Sequence, residues 1–274
     1  MAGGGVRSGV YANVCGEWSR VGGLRQPYVR CAAVEIQIAL KWCLMTFRGE
    51  FYRRLISEWV ISDCNVRGDD VQPQGFVDSN FRDLSEFDAH WFLVALEANH
   101  MTETLSVFHT IGHGVKLRIF SHGTSWEALR KTTLSLEPII CVGAVARLID
   151  QYGWPASQLG QCAFPWPFDL VCFDRDRKKE LVNCEVKKSH NEVAALMNWM
   201  RYFAAIAPLE VTPTNSIKKN AYKKIVGLRK SRPAYFWVLG PEGIGNTYRL
   251  VWDRDDTLFQ FAPVPERVLA YAAH

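Results

Sequence analysis

The sequence predicts an α/β (α+β) fold: a mixed β-sheet flanked by helices, behind a mainly helical N-terminal region. Three observations carry that prediction. Residues 134–152 repeat apolar side chains at helical spacing. Three strand-like runs then follow closely, at 158–164, 168–173 and 181–187. Two further helical patterns come before a fourth strand at 235–239. A three-strand meander whose chain returns through helices to a fourth strand gives a sheet of mixed direction with helices against it. Two regions are expected, 1–122 and 123–274.

The N-terminal region begins with a Gly-rich, weakly patterned lead-in over residues 1–28. Ala32 to Ile61 carries a helical stripe that includes Val34, Ile38, Trp42, Phe51, Leu55 and Trp59. Residues 62–80, rich in Gly, Asp and Asn, read as a polar loop. Ser85 to Asn99 returns to helix, with Ser85 as N-cap and Asp88 three residues on, a loose capping box. Val115 to Phe120 reads as a short strand.

In the second region, Leu134 to Tyr152 is an amphipathic helix that tolerates Pro138 in its first turn and ends at Gly153 and Pro155. The DRDRKKE run at 174–180 is a charged hairpin turn between two strands. His190 to Ala207 and Ser216 to Lys230 are helices, and Gly227 weakens the second. Thr247 to Trp252 and Leu258 to Phe261 form a terminal strand pair.

A chain of 274 residues, 48% hydrophobic and 22% charged, can bury a sizeable core and is not of disordered composition. The net charge of +4 permits a polyanionic partner without requiring one. Eight cysteines, none in a C-x-x-C pair, read as reduced core thiols in a cytoplasmic protein. No stretch reads as a signal peptide. The apolar run from Cys31 to Phe47 is broken by Glu35 and Lys41, so no membrane association is expected.

The chemistry concentrates in two of the strands. Phe168-Asp169-Leu170-Val171-Cys172-Phe173 and Leu181-Val182-Asn183-Cys184-Glu185-Val186-Lys187 are apolar runs that nevertheless carry charge. Side chains alternate along a strand, so Glu185 and Lys187 share one face while Cys184 and Val186 share the other. Buried charges persist when paired or bound to a metal. Asp169 and Glu185 on neighbouring strands can hold one or two Mg²⁺ ions, with the Val186 carbonyl completing the shell. The Lys187 ammonium can orient an attacking water or offset charge on a phosphate.

This arrangement resembles the PD-(D/E)xK nuclease superfamily, which includes many restriction endonucleases. The resemblance rests on Asp169 and Glu185-Val186-Lys187 in their strand setting and covers roughly residues 134–240. It implies a restriction endonuclease-like core, metal-binding Asp169 and Glu185, and a catalytic Lys187. Many members add an acidic ligand on the leading helix, for which Glu137 is the candidate. One departure is that Pro167 stands one residue earlier than the family's proline. The implied activity is Mg²⁺-dependent (or Mn²⁺-dependent) hydrolysis of DNA phosphodiester bonds, in defence, restriction or repair. A ribonuclease with the same site, or an inactive nucleic-acid-binding or assembly protein of this fold, are the alternatives.

Each residue also has a plainer role open to it. Asp169 can cap a turn after Pro167, and Asp174 is the rival carboxylate, although it suits a turn start. Glu185 and Lys187 can form a solvated ion pair, and Glu137 suits a helix N-terminus. Ser189 can cap the next helix. The stretch 216–232 holds seven basic residues and no acidic ones. Lys188, Lys219, Lys223, Lys224, Arg229 and Lys230 are therefore the expected nucleic-acid contacts. A homodimer, or a partner held through residues 1–122, is the expected assembly.

Overall fold

The computed structural model describes residues 46–67, 71–110, 116–123, 130–161 and 167–271. The expected lead-in at 1–28, the first part of the 32–61 helix and the end of the 158–164 strand lie outside the described residues. So do Cys15, Cys31, Cys43 and Cys162. The architecture is mixed α/β. Residues 41–274 form one compact unit.

The first described helix begins at α1 (Phe47–Arg54), capped by Thr46, whose hydroxyl accepts the Gly49 N–H. It passes through a π turn at Leu55–Trp59 into α2 (Val60–Arg67). The wider π turn leaves the Trp59 carbonyl to the buried Ser106 hydroxyl, which donates to it at 2.6 Å. Helix thus continues to Arg67, where a polar loop is expected from residue 62. Asp63 explains the difference. It turns inward to His122, at 2.6 Å, so its polarity marks a tertiary contact rather than solvent. Short elements follow: β1 (Phe76–Val77), then α3 (Glu86–Glu97), with Ser85 accepting the Asp88 N–H as its N-cap.

Among the described residues up to 122, five short strands stand beside the helices of this N-terminal part, and a sixth follows them. β2 (Met101–Thr104), β3 (Val107–Thr110) and β4 (Lys116–Arg118) form one antiparallel sheet. β1, β5 (Phe120–His122) and β6 (Thr132–Leu134) form another. The single strand expected at 115–120 is therefore split between two sheets around Ile119.

The leading helix of the second region, α4 (Leu136–Ala146), has nearly all its residues buried. It packs on α3, so one core runs across residue 122, where the sequence suggests the end of a first region. A second π turn, Arg147–Gln151, ends it. The main sheet then builds in order: β7 (Leu159–Gln161), β8 (Leu170–Phe173), β9 (Glu180–Val186), β10 (Tyr235–Leu239), β11 (Gly245–Trp252) and β12 (Phe259–Val264). Within this sheet β9 and β10 are the parallel pair, because the chain returns between them through α5 (His190–Ala204) and α6 (Ser216–Ser231).

Strand alternation separates two apolar layers. Leu170, Cys172, Val182, Cys184, Val186 and Trp237 face the core that includes α4. Val171, Phe236 and Val238 face α5 and α6. Cys64, Cys141, Cys172 and Cys184 are buried and, among the described residues, not in disulfides. Among the described residues, no helix is long and apolar enough to cross a membrane.

Candidate active site

The site lies at the C-terminal end of β9. Leu170 pairs with Cys184, so Asp169, one residue before β8, falls opposite Glu185 and shares its face. The Asp169 N–H donates to the Cys184 carbonyl at 3.0 Å, extending the ladder by one bond. In return Asp169 Oδ2 accepts the Val186 N–H at 2.7 Å. These bonds fix the aspartate against β9. Asp174 is at the other end of β8, where it accepts the Lys178 N–H and shapes the hairpin.

Glu185 is 1% exposed, and ammonium groups engage both of its oxygens. Lys187 Nζ lies 2.8 Å from Oε1. Lys224 Nζ, reaching across from α6, lies 2.5 Å from Oε2. Lys187 also donates to the Val186 carbonyl at 2.7 Å and lies 3.3 Å from Glu137 Oε1. Glu137, in the first turn of α4, thus enters the centre through Lys187, with its own side chain 43% exposed. Of the residues expected at the centre, Asp169, Glu185, Val186 and Lys187 come together, and Glu137 joins them at the rim.

Burial and the neighbouring Glu185 charge push the Asp169 carboxyl up to about 7, against the opposing pull of Lys224, the Val186 N–H and Lys187. Burial works against the Lys187 ammonium. The carboxylates of Glu185, Asp169 and Glu137 outweigh it and hold that group above the ordinary lysine range. Both results follow from packing Asp169, Glu185, Lys187 and Lys224 closely in a buried site, with Glu137 at its rim.

Lys224 is expected among the nucleic-acid contacts, yet it is 4% exposed and donates to the Pro167 carbonyl as well as to Glu185. Its place in α6 explains this. Ala221, Ile225 and Leu228 are the buried stripe of the helix, and Lys224 falls on the same side. Helical spacing was the available signal, masked by the surrounding run of basic residues. Arg229 is likewise drawn inward, donating to the carbonyls of Phe203, Ile206 and Thr257. Lys219, Lys223 and Lys230 stay exposed on α6. Lys188 is exposed too, 3.7 Å from Glu192. Ser189 takes the capping role, accepting the Glu192 N–H.

Gly227 brings α6 close enough for Lys224 to reach. A Cβ at this position would stand 2.6 Å from Pro167 Cγ and 3.1 Å from the Phe168 ring. Gly227→Ala is expected to cost about 1–3 kcal/mol by overpacking, read as a lower urea midpoint, despite alanine's better helix propensity.

Two open clefts meet at the rim of the centre. One, of about 680 Å³, is lined by Asn80, Arg118, Ser121, Thr133, Glu137 and Lys188, among others. The other, of about 420 Å³, is lined by Glu137, Lys187, Glu192, Leu196, Ile217 and Asn220, among others. Glu137 and Glu192 border both. Lys187 also lines the second cleft, whereas Asp169 and Glu185 line neither. Among the described residues, no group of three or more His, Cys, Asp or Glu side chains is placed to hold a metal ion. No family model matches the chain, and no curated protein or solved structure matches it significantly.

Proposed function

We propose that the chain is a metal-dependent nuclease that hydrolyses DNA phosphodiester bonds, with a PD-(D/E)xK-like centre at Asp169, Glu185 and Lys187. The observation that carries the reading is the convergence of these three side chains at the ends of adjacent strands, below two clefts. The element order supports it as well: α4, the antiparallel β7–β9 meander, two helices, then β10 parallel to β9.

The residues fit a hard divalent cation. Asp169, Glu185 and the Val186 carbonyl are an all-oxygen donor set of the kind Mg²⁺ and Mn²⁺ prefer. Burial first, and repulsion by Glu185 second, raise the Asp169 carboxyl, and a bound cation would offset both. When bound, such an ion neutralises phosphate charge and acidifies a water. The chain's own groups do the rest. Lys187, at the rim, holds a permanent positive charge where the phosphate would enter and can orient the attacking water. Glu137 keeps that ammonium aimed across the mouth of the site. Exposed Lys188 on the rim, and Lys219, Lys223 and Lys230 along α6, give the polyanion a positive approach.

The test is purified chain with Mg²⁺ or Mn²⁺ against plasmid, single-stranded DNA and RNA. We expect cleavage that chelation stops and Glu185→Gln abolishes. Full activity in Glu185→Gln sinks the assignment, and preference for RNA moves it to a ribonuclease with the same site. The occupation of both Glu185 oxygens by lysines favours one other reading, a nucleic-acid-binding protein that keeps the fold without cleaving. Metal-independent binding without cleavage of any substrate would establish that reading instead.

A further inference from the structure

We propose that Lys224 is a counter-cation built into the carboxylate centre, competing with the divalent ion for Glu185 and so setting how tightly the centre binds it. The inference rests on the divalent-cation reading above and goes beyond it, because no step of that reading uses Lys224.

Three observations carry it. Lys224 Nζ lies 2.5 Å from Glu185 Oε2, so its positive charge occupies the position on that oxygen where a metal ion would bind. The ion pair is sealed, with both side chains buried, so solvent screens it little. Lys224 also offsets charge: Asp169, Glu185 and, at the rim, Glu137 stand against Lys187 and Lys224. Without Lys224 the same centre would be more negative and would attract a divalent ion more strongly.

The geometry lets the exchange happen without stranding a charge. Lys224 has a second partner in the Pro167 carbonyl, at 2.5 Å, and its ammonium lies 5.6 Å from the Phe168 ring centroid. Lys187 likewise keeps Glu137. Either lysine can yield its Glu185 oxygen and remain paired. Gly227, one turn along, holds α6 against Pro167 and Phe168 and keeps Lys224 in reach.

The experiment is calorimetric titration of Mn²⁺ into the full chain at mildly alkaline pH, comparing wild type, Lys224→Met and Lys224→Arg. Methionine keeps the length and apolar stem of the side chain but not its charge. We expect Lys224→Met to bind Mn²⁺ about tenfold or more tightly than wild type, and Lys224→Arg to stay near wild type. Unchanged or weaker binding by folded Lys224→Met overturns the proposal. Should that variant melt early without metal, its melting temperature decides. A rise with Mn²⁺ larger than wild type's supports competition, and no larger rise overturns it. Failure of all three chains to bind Mn²⁺ sinks the cation reading itself, and the competition with it. Adding Glu185→Gln to Lys224→Met should remove the gain in affinity, and its persistence would place the ion elsewhere and overturn the proposal.

Discussion

Lys187→Met is expected to lower the rate of phosphodiester cleavage by roughly 10²–10⁴-fold, the range for losing one positioned proton-transfer or charge-stabilising group. Lys187 lines a cleft beside Glu137, and of the two it carries the positive charge that suits a phosphate. Its ammonium bridges Glu185 Oε1, the Val186 carbonyl and Glu137. The substitution leaves Glu185 paired with Lys224, so the protein should fold with a smaller loss than the ~3–5 kcal/mol of an abandoned buried charge. Melting followed by circular dichroism separates that loss from the kinetic one. Single-turnover rates at saturating DNA should carry nearly the whole effect, since the charge acts on the reacting phosphate. An unchanged rate in a folded Lys187→Met chain would remove lysine from the chemistry.

Asp169→Asn should abolish cleavage and yet stabilise the metal-free protein at about pH 8. The Asp169 carboxyl is raised to about 7 in the folded chain by burial and by Glu185, from an ordinary value of 3.8. The folded state therefore holds a proton that the unfolded state releases earlier. This contribution is fully present below the unfolded value and is lost as pH rises through about 7. Three units of raised pKa correspond to on the order of 4 kcal/mol between the two limits. Asparagine carries no charge to bury, and its side-chain oxygen can still accept the Val186 N–H. Urea unfolding at about pH 5 and about pH 8 should show wild type losing stability across that interval and Asp169→Asn losing much less. A variant less stable than wild type at the higher pH would mean that the buried carboxylate is held ionised by its lysines at little cost. The trade of stability against activity at this residue is what a strained functional site produces.

Much of the centre was legible because strand periodicity is rigid. An acidic residue inside Leu181–Val186 has only two faces available, and its partner Lys187 two positions on must share its face. Asp169 followed from the same rule once the hairpin at 174–180 set the two strands side by side. The six-stranded sheet was legible in most of its members for the same reason. Helix α6 is legible in extent but not in the place of Lys224, which the sequence offers as a nucleic-acid contact and which falls among Ala221, Ile225 and Leu228. A lysine on an apolar stripe is the sign of a buried counter-charge, and the partner lies 39 residues away in sequence.

The N-terminal part was less legible because its polar residues make tertiary contacts. Asp63 looks like a loop residue, yet it holds His122 from within a helix. The β2–β3 hairpin turns on Leu105 and Ser106, both with positive φ and neither a glycine, so no turn signature announces it. Its short strands carry Thr102, Glu103 and Thr104, too few apolar residues to show an alternation.

The most direct measurement of the central claim is the anomalous difference map of crystals of the full chain soaked in Mn²⁺. The account predicts a peak in contact with the carboxylates of both Asp169 and Glu185, absent from Glu185→Gln crystals treated alike. A chain that cleaves DNA with Mn²⁺ while its peak lies away from these two carboxylates would contradict it.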